Sequence, residues 1–177
     1  MENIMDFIRY NTTLKASGKE YKKIVFWNRF LRNPAELILS WLPAVISIIL
    51  ICMKMFNTYL AFFYAASFCY PLYIFLIQFK NSVNYHLKHR DPSESAPCTM
   101  TLTEKSIMAE IPEYELIHTY DWNDFTTAYD KYGYYMFFKE NKMIVMLRKA
   151  DMSSEQLAEA PAYIKRNLNL NKCRVLF

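Results

Sequence analysis

The chain has 177 residues, with four cysteines and only two glycines, Gly18 and Gly133. Two distant glycines build neither a phosphate loop nor a dinucleotide fingerprint, so those chemistries are excluded. The net charge of +4 is unevenly spread: residues 1–36 carry seven basic and four acidic side chains, and residues 98–177 carry ten and eleven. The basic surplus thus borders the apolar part of the chain, and the near-neutral C-terminal part argues against a nucleic-acid partner.

Residues 1–32 read as a cytoplasmic, basic, amphipathic segment. Ile4, Phe7 and Ile8 open it in a helical pattern, with no strand ahead of the first helix. Further on, Ile24, Val25, Phe26, Trp27 and Phe30 stand among Lys22, Lys23, Arg29 and Arg32. Apolar side chains that dip into a bilayer beside cations that meet headgroups make Lys22, Lys23, Trp27, Arg29 and Arg32, with Lys80 beyond the hairpin, candidate membrane-interface residues. The alternative is a helix that packs on the C-terminal domain, its charges serving only to set topology.

Residues 33–90 read as a transmembrane helical hairpin, with spans at about 34–55 and 58–79 and a cytoplasmic extension to 90. Asn33 is placed to cap, Pro34 suits the first helical position, and Glu36 follows three residues after the cap. No charge occurs over 37–53 or over 58–79. Each run holds ten residues drawn from Leu, Ile, Val and Phe, which contribute on the order of -3 to -6 kcal/mol to insertion. The short link 54–57 forces antiparallel neighbours. Four-residue spacing puts Ser40 and Ala44 on one helix face, and Ala61, Ala65 and Cys69 on one face of the other, as a close-packing seam. Pro43 and Pro71 are candidate kinks. Lys19, Lys22, Lys23, Arg29 and Arg32 precede the hairpin, and Lys80, Lys88 and Arg90 follow it. Lys54 alone lies in the link, which places both termini in the cytoplasm at the inner membrane. The first long apolar run starts too far in for a cleaved signal, so none is expected. All four cysteines are expected to be reduced.

Residues 91–97 form a linker with two prolines. From 98 the hydrophobic period becomes two: Cys98, Met100 and Leu102, then Ile107, Ala109 and Ile111, then Tyr114 through Trp122 in alternation. Further strands are predicted at 125–129, 134–138 and 143–147, with turns at 130–133 and 139–142. Ser153 and Gln156 form a capping box for a last helix carrying Leu157, Tyr163, Ile164 and Leu168. The fold class is therefore an α+β membrane protein: a two-helix transmembrane hairpin plus a small β-roll over 98–177, closed by a C-terminal helix.

The order of a short N-terminal segment (Met5, Asp6, Phe7, Ile8, Arg9, Tyr10), a hairpin, and a domain opening at Thr99, Met100, Thr101, Leu102 resembles the YcxB-like family of bacterial membrane proteins. The stretch Tyr120, Asp121, Trp122, Asn123, Asp124, Phe125 and the segment Asp151, Met152, Ser153 carry the likeness further. The resemblance spans nearly the whole chain and implies a pleckstrin-homology-like roll in the cytoplasm. It implies no activity, because the family is poorly characterised.

No catalytic signature is present. His86 and His89 lie three apart on a helix without a third ligand, His118 alternates on a strand, and Asp121, Asp124 and Asp130 have turn spacing. No enzyme, cofactor or metal is expected. Tyr132, Tyr134 and Tyr135 around Gly133, together with Trp122, are a candidate partner surface, set against a packed hairpin as the alternative. The expected role is a membrane-anchored interaction or regulatory module. An immunity protein against a toxin and a lipid-headgroup sensor are the alternatives. The expected partners are the membrane and an unidentified protein, with self-association left open.

Overall fold

The computed structural model describes residues 7–14, 16, 18–89, 91–169 and 173–176. In chain order the elements are β1 (Ile8–Thr13), α1 (Gly18–Phe26), α2 (Ala35–Cys52), α3 (Thr58–Tyr73), α4 (Phe79–Lys88), β2 (Pro97–Leu102), β3 (Ser106–Ile111), β4 (Leu116–Asp121), β5 (Thr127–Lys131), β6 (Tyr134–Lys139), β7 (Lys142–Arg148), α5 (Ser154–Asn167) and β8 (Arg174–Leu176). They divide into two units. One is helical, covering residues 17–90; the other is a β unit made of residues 1–16 and 91–177.

In the β unit, one four-stranded sheet runs β1-β2-β3-β4 and the second runs β7-β6-β5-β8. The first is an antiparallel meander. Ile8, Tyr10 and Thr12 lie opposite Leu102, Met100 and Cys98, and all six are buried. Alternation decides this: each strand turns its odd or even set inward and leaves Arg9, Asn11, Thr99 and Thr101 outward. The second sheet differs, because Tyr134, Tyr135, Met136, Phe137 and Phe138 on β6 are all buried. A central strand covered on both faces reads as a continuous apolar run. Between β5 and β6, Tyr132 and Gly133 both take positive φ (56° and 81°), the geometry of a tight two-residue hairpin turn. The capping box forms as expected. Ser153 Oγ accepts from Gln156 N, and Gln156 Oε1 accepts from Ser153 N.

One expectation is corrected here. Phe7 and Ile8 do not open a helix. Ile8–Thr13 is a strand that pairs along the whole of β2. Its partner lies far along the chain, so no local pattern announces it, and β1 and β2 flank the entire helical unit. Ile4, Met5 and Asp6 lie outside the described residues, as does Arg90.

In the helical unit, α1 runs on into a π-helical stretch, Trp27–Arg32. Helix α2 begins at Ala35 without a side-chain cap. Asn33, the expected cap, instead aims its side-chain amide at Asn28 O (3.5 Å). Helix α3 is capped by Asn57, which accepts from Leu60 N at 2.8 Å. After Pro71 it passes through a π-helical stretch, Ile74–Gln78, into α4.

Candidate functional site

The helical unit carries the surface that most needs a chemical explanation. Helix α2 has 18 residues, and α3 with α4 forms one rod of 31. At 1.5 Å per residue these reach about 27 and 46 Å, so both are long and apolar enough to cross a membrane. They pack on each other, and the residues that become buried are small or polar. On α2 these are Ser40, Ala44 and Ser47; on α3 they are Tyr64, Ser67 and Pro71. The hydroxyls mostly find backbone acceptors. Ser40 Oγ donates to Leu37 O (2.7 Å), Ser67 Oγ to Phe63 O (2.7 Å) and Tyr64 OH to Met55 O (2.6 Å). Ser47 Oγ has no partner.

The outward faces are apolar. Leu39 is 64% exposed, Phe62 74% and Leu76 65%. A helix at the core of a water-soluble domain would turn these residues inward. The first half of the expected seam holds, because Ser40 and Ala44 are buried. The second half is corrected: Ala61, Ala65 and Cys69 are exposed. The face from Tyr64 through Ser67 and Pro71 packs instead, since Pro71 gives a flat, small surface at the same helical spacing.

The six expected interface residues separate. Lys22, Lys23 and Lys80 are exposed. Arg29 is half-buried; its Nε donates to Glu36 Oε2 at 2.6 Å and its guanidinium lies 5.5 Å from the Phe30 ring centroid. Arg32 Nη1 donates to Asn28 Oδ1 at 3.2 Å. Trp27 is only 4% exposed, so it packs inside the unit and does not face a surface. What the sequence reading missed is a four-ring cluster. Phe30 stacks on Phe75 at 4.6 Å, and Phe26 and Phe79 complete it at 5.2–5.7 Å from their neighbours. The signal was present: Phe26 and Phe30, like Phe75 and Phe79, are spaced i, i+4.

The expected partner surface also changes. Trp122, Tyr134 and Tyr135 are at most 3% exposed, and only Tyr132, at 45%, is open. Trp122 Nε1 donates to Thr103 O at 2.8 Å, and the indole meets Phe125 and Phe137 edge-on at 6.0 and 5.8 Å. It is a core anchor, because its ring fills the interior while its N–H finds a backbone acceptor. Tyr135 lies under Lys149, whose Nζ is 4.4 Å from the ring centroid and pairs with Asp130.

Among the described residues no three metal-ligating side chains converge. His89 stacks on Tyr85 at 4.2 Å. Burial pushes the thiols of Cys98 and Cys173 up to about 11, so both are protonated at neutral pH. An open depression bounded by Phe7, Arg9, Thr103, Glu104 and Lys105 is of mixed charge, and its Arg9 is already 3.5 Å from Glu110. No known protein family, curated protein or solved structure matches the chain.

Proposed function

We propose that this protein is a membrane-anchored, non-enzymatic interaction module. The helical hairpin spans the bilayer, and the β unit, a pleckstrin-homology-like roll, is presented at the inner face with both termini in the cytoplasm. The observation that carries this reading is the inverted burial of α2 and α3, with small and hydroxyl side chains inside and large apolar ones outside. In hydrocarbon that arrangement is favourable, because packing and hydrogen bonds, not apolar burial, hold helices together there. The order of a four-strand meander, a three-strand meander and a closing helix supports the roll and the likeness to the YcxB-like family. Because β1 and β2 are adjacent in the sheet, the helical unit is an insertion joined to the roll by two chain connections.

Alkaline carbonate washing of membranes tests the anchor. The full chain stays in the pellet. A variant in which residues 13–97 are replaced by an Asn-Gly turn between Thr12 and Cys98, which lie opposite each other in the β1–β2 ladder, moves to the supernatant with its β unit folded. Release of the full chain, or retention of the shortened one, refutes the reading.

The exposed Lys22, Lys23 and Lys80 favour one second role, contact with anionic headgroups, worth about 1 kcal/mol per cation near the surface. Binding that is equal on anionic and neutral nanodiscs would remove it.

A further inference from the structure

Strand β4 is the outer edge of the first sheet, and it is open on both faces. Leu116 is 40% and Ile117 66% exposed. Its core-side residues, Leu116, His118 and Tyr120, lie opposite the buried Ile111, Ala109 and Ile107 yet overhang the interior.

The ladder fixes which backbone groups point outward. Thr103 N donates to Ser106 O, and Trp122 N donates to Lys105 O. Those pairs set the alternation, so Leu116, His118 and Tyr120 bond to β3, while the amides and carbonyls of Ile117 and Thr119 face the open edge.

The other edges are guarded. The Arg9 carbonyl of β1 accepts from Gln156 Nε2 at 2.7 Å. Strand β7 is flanked by Lys142 and Arg148 and carries a bulge at Ile144, and β8 has three residues. Strand β4 has no lysine, proline or bulge, the devices that normally keep an edge from pairing. Of the six acidic side chains in residues 106–130, Glu110, Asp124 and Asp130 pair with Arg9, Lys139 and Lys149, which leaves the other three to set the charge at the ends of β4. Glu113, Glu115 and Asp121, at the two ends of β4, are exposed.

We propose that β4 is a docking edge for a partner protein that adds an extended segment, apolar at its centre and flanked by lysine or arginine. The open ladder supplies main-chain hydrogen bonds, Leu116 and Ile117 supply apolar contacts, and the acidic ends select a cationic strand. A second copy of this chain is disfavoured, because pairing two β4 edges brings acidic ends together. The inference rests on the reading of the chain as an interaction module and names the chemistry of its partner.

The test uses the full chain in neutral-lipid nanodiscs, probed with a displayed library of random twelve-residue peptides. Enriched peptides alternate apolar residues with lysine or arginine. Thr119→Pro removes an outward amide without touching the β3 ladder and weakens their binding about tenfold. Glu113→Lys with Glu115→Lys abolishes the preference for cationic peptides. Should Thr119→Pro unfold, amide exchange on the unaltered chain decides: bound peptide slows exchange at Ile117 and Thr119 and leaves β7 unchanged. Enrichment of acidic or uncharged peptides, unchanged β4 exchange, or β4-to-β4 self-association overturns the proposal. Carbonate washing reads the anchor separately, so either claim can fail without the other.

Discussion

The two units of this chain bury opposite things. In the β unit, Trp122, Phe125, Phe137 and Ile164 go inside, and Arg9, Asn11 and Thr119 face out. In the helical hairpin, Ser40, Ser47 and Ser67 go inside while Leu39, Phe62 and Leu76 face out. The same twenty side chains obey one rule, minimal free energy against the surrounding solvent, and on the proposed membrane reading the inversion reflects two solvents. Water expels the apolar groups of the β unit. Around the hairpin the apolar groups are content outside, and polar groups seek each other or their own backbone.

The largest expected effect comes from emptying the water-driven core. Trp122→Ala removes the indole and its bond to Thr103, and costs the β unit about 3–5 kcal/mol in urea unfolding. Leu39→Ala on the outward face of α2 leaves the same unfolding transition unchanged. If both cost the same, the contrast between the units is wrong. Next comes Val45→Arg. Near the middle of α2 it adds about 2.5–3.5 kcal/mol to insertion and lowers the membrane-inserted fraction in a glycosylation-mapping assay. On a water-exposed helix the same change would be tolerated.

A smaller effect is expected at Gln156, which caps α5 and covers the edge of β1. Gln156→Ala loses about 1 kcal/mol in the same denaturation. Tyr132→Asn is expected to gain, by roughly 0.5–1 kcal/mol, because the first position of this turn takes a positive φ that asparagine tolerates better.

Apart from these substitutions, the β unit carries a pH dependence at the alkaline end. Burial raises the thiols of Cys98 and Cys173 from 9.0 to about 11 and raises Tyr10 as well. Above pH 9 the unfolded chain releases these protons and the folded chain keeps them. Stability is therefore complete below pH 9 and declines between pH 9 and 11. Thermal melts across that range should flatten in a Cys98→Ala, Cys173→Ala variant.

Much of the architecture is legible in the sequence because its signals are local. Uncharged runs mark both long helices, period-two alternation marks β2 to β4, and the turns at 130–133 and 139–142 mark off β5 to β7. Ser153 and Gln156 mark the start of α5. What stays hidden depends on distant partners. Strand β1 alternates Ile8, Tyr10 and Thr12 with polar residues, but its meaning comes from β2, beyond the whole hairpin. Tyr134 and Tyr135 look like a surface cluster beside the truly exposed Tyr132, because a strand covered on both faces has no alternation to betray it. Trp27 reads as an interfacial anchor by composition alone, whereas packing takes it inside. The open edge of β4 is invisible in the same way, since exposure of an edge is a property of the sheet order.

The inversion of the hairpin is tested most directly by labelling intact cells with a membrane-impermeant maleimide. Two single-site variants are compared in a Cys52→Ser, Cys69→Ser background, where the remaining Cys98 and Cys173 are buried. Met55→Cys, in the exposed link, labels in intact cells, and Lys88→Cys labels only after the membrane is opened. Equal labelling of both sites without permeabilisation, or labelling of Lys88→Cys alone, would contradict a hairpin that crosses the bilayer with both ends inside.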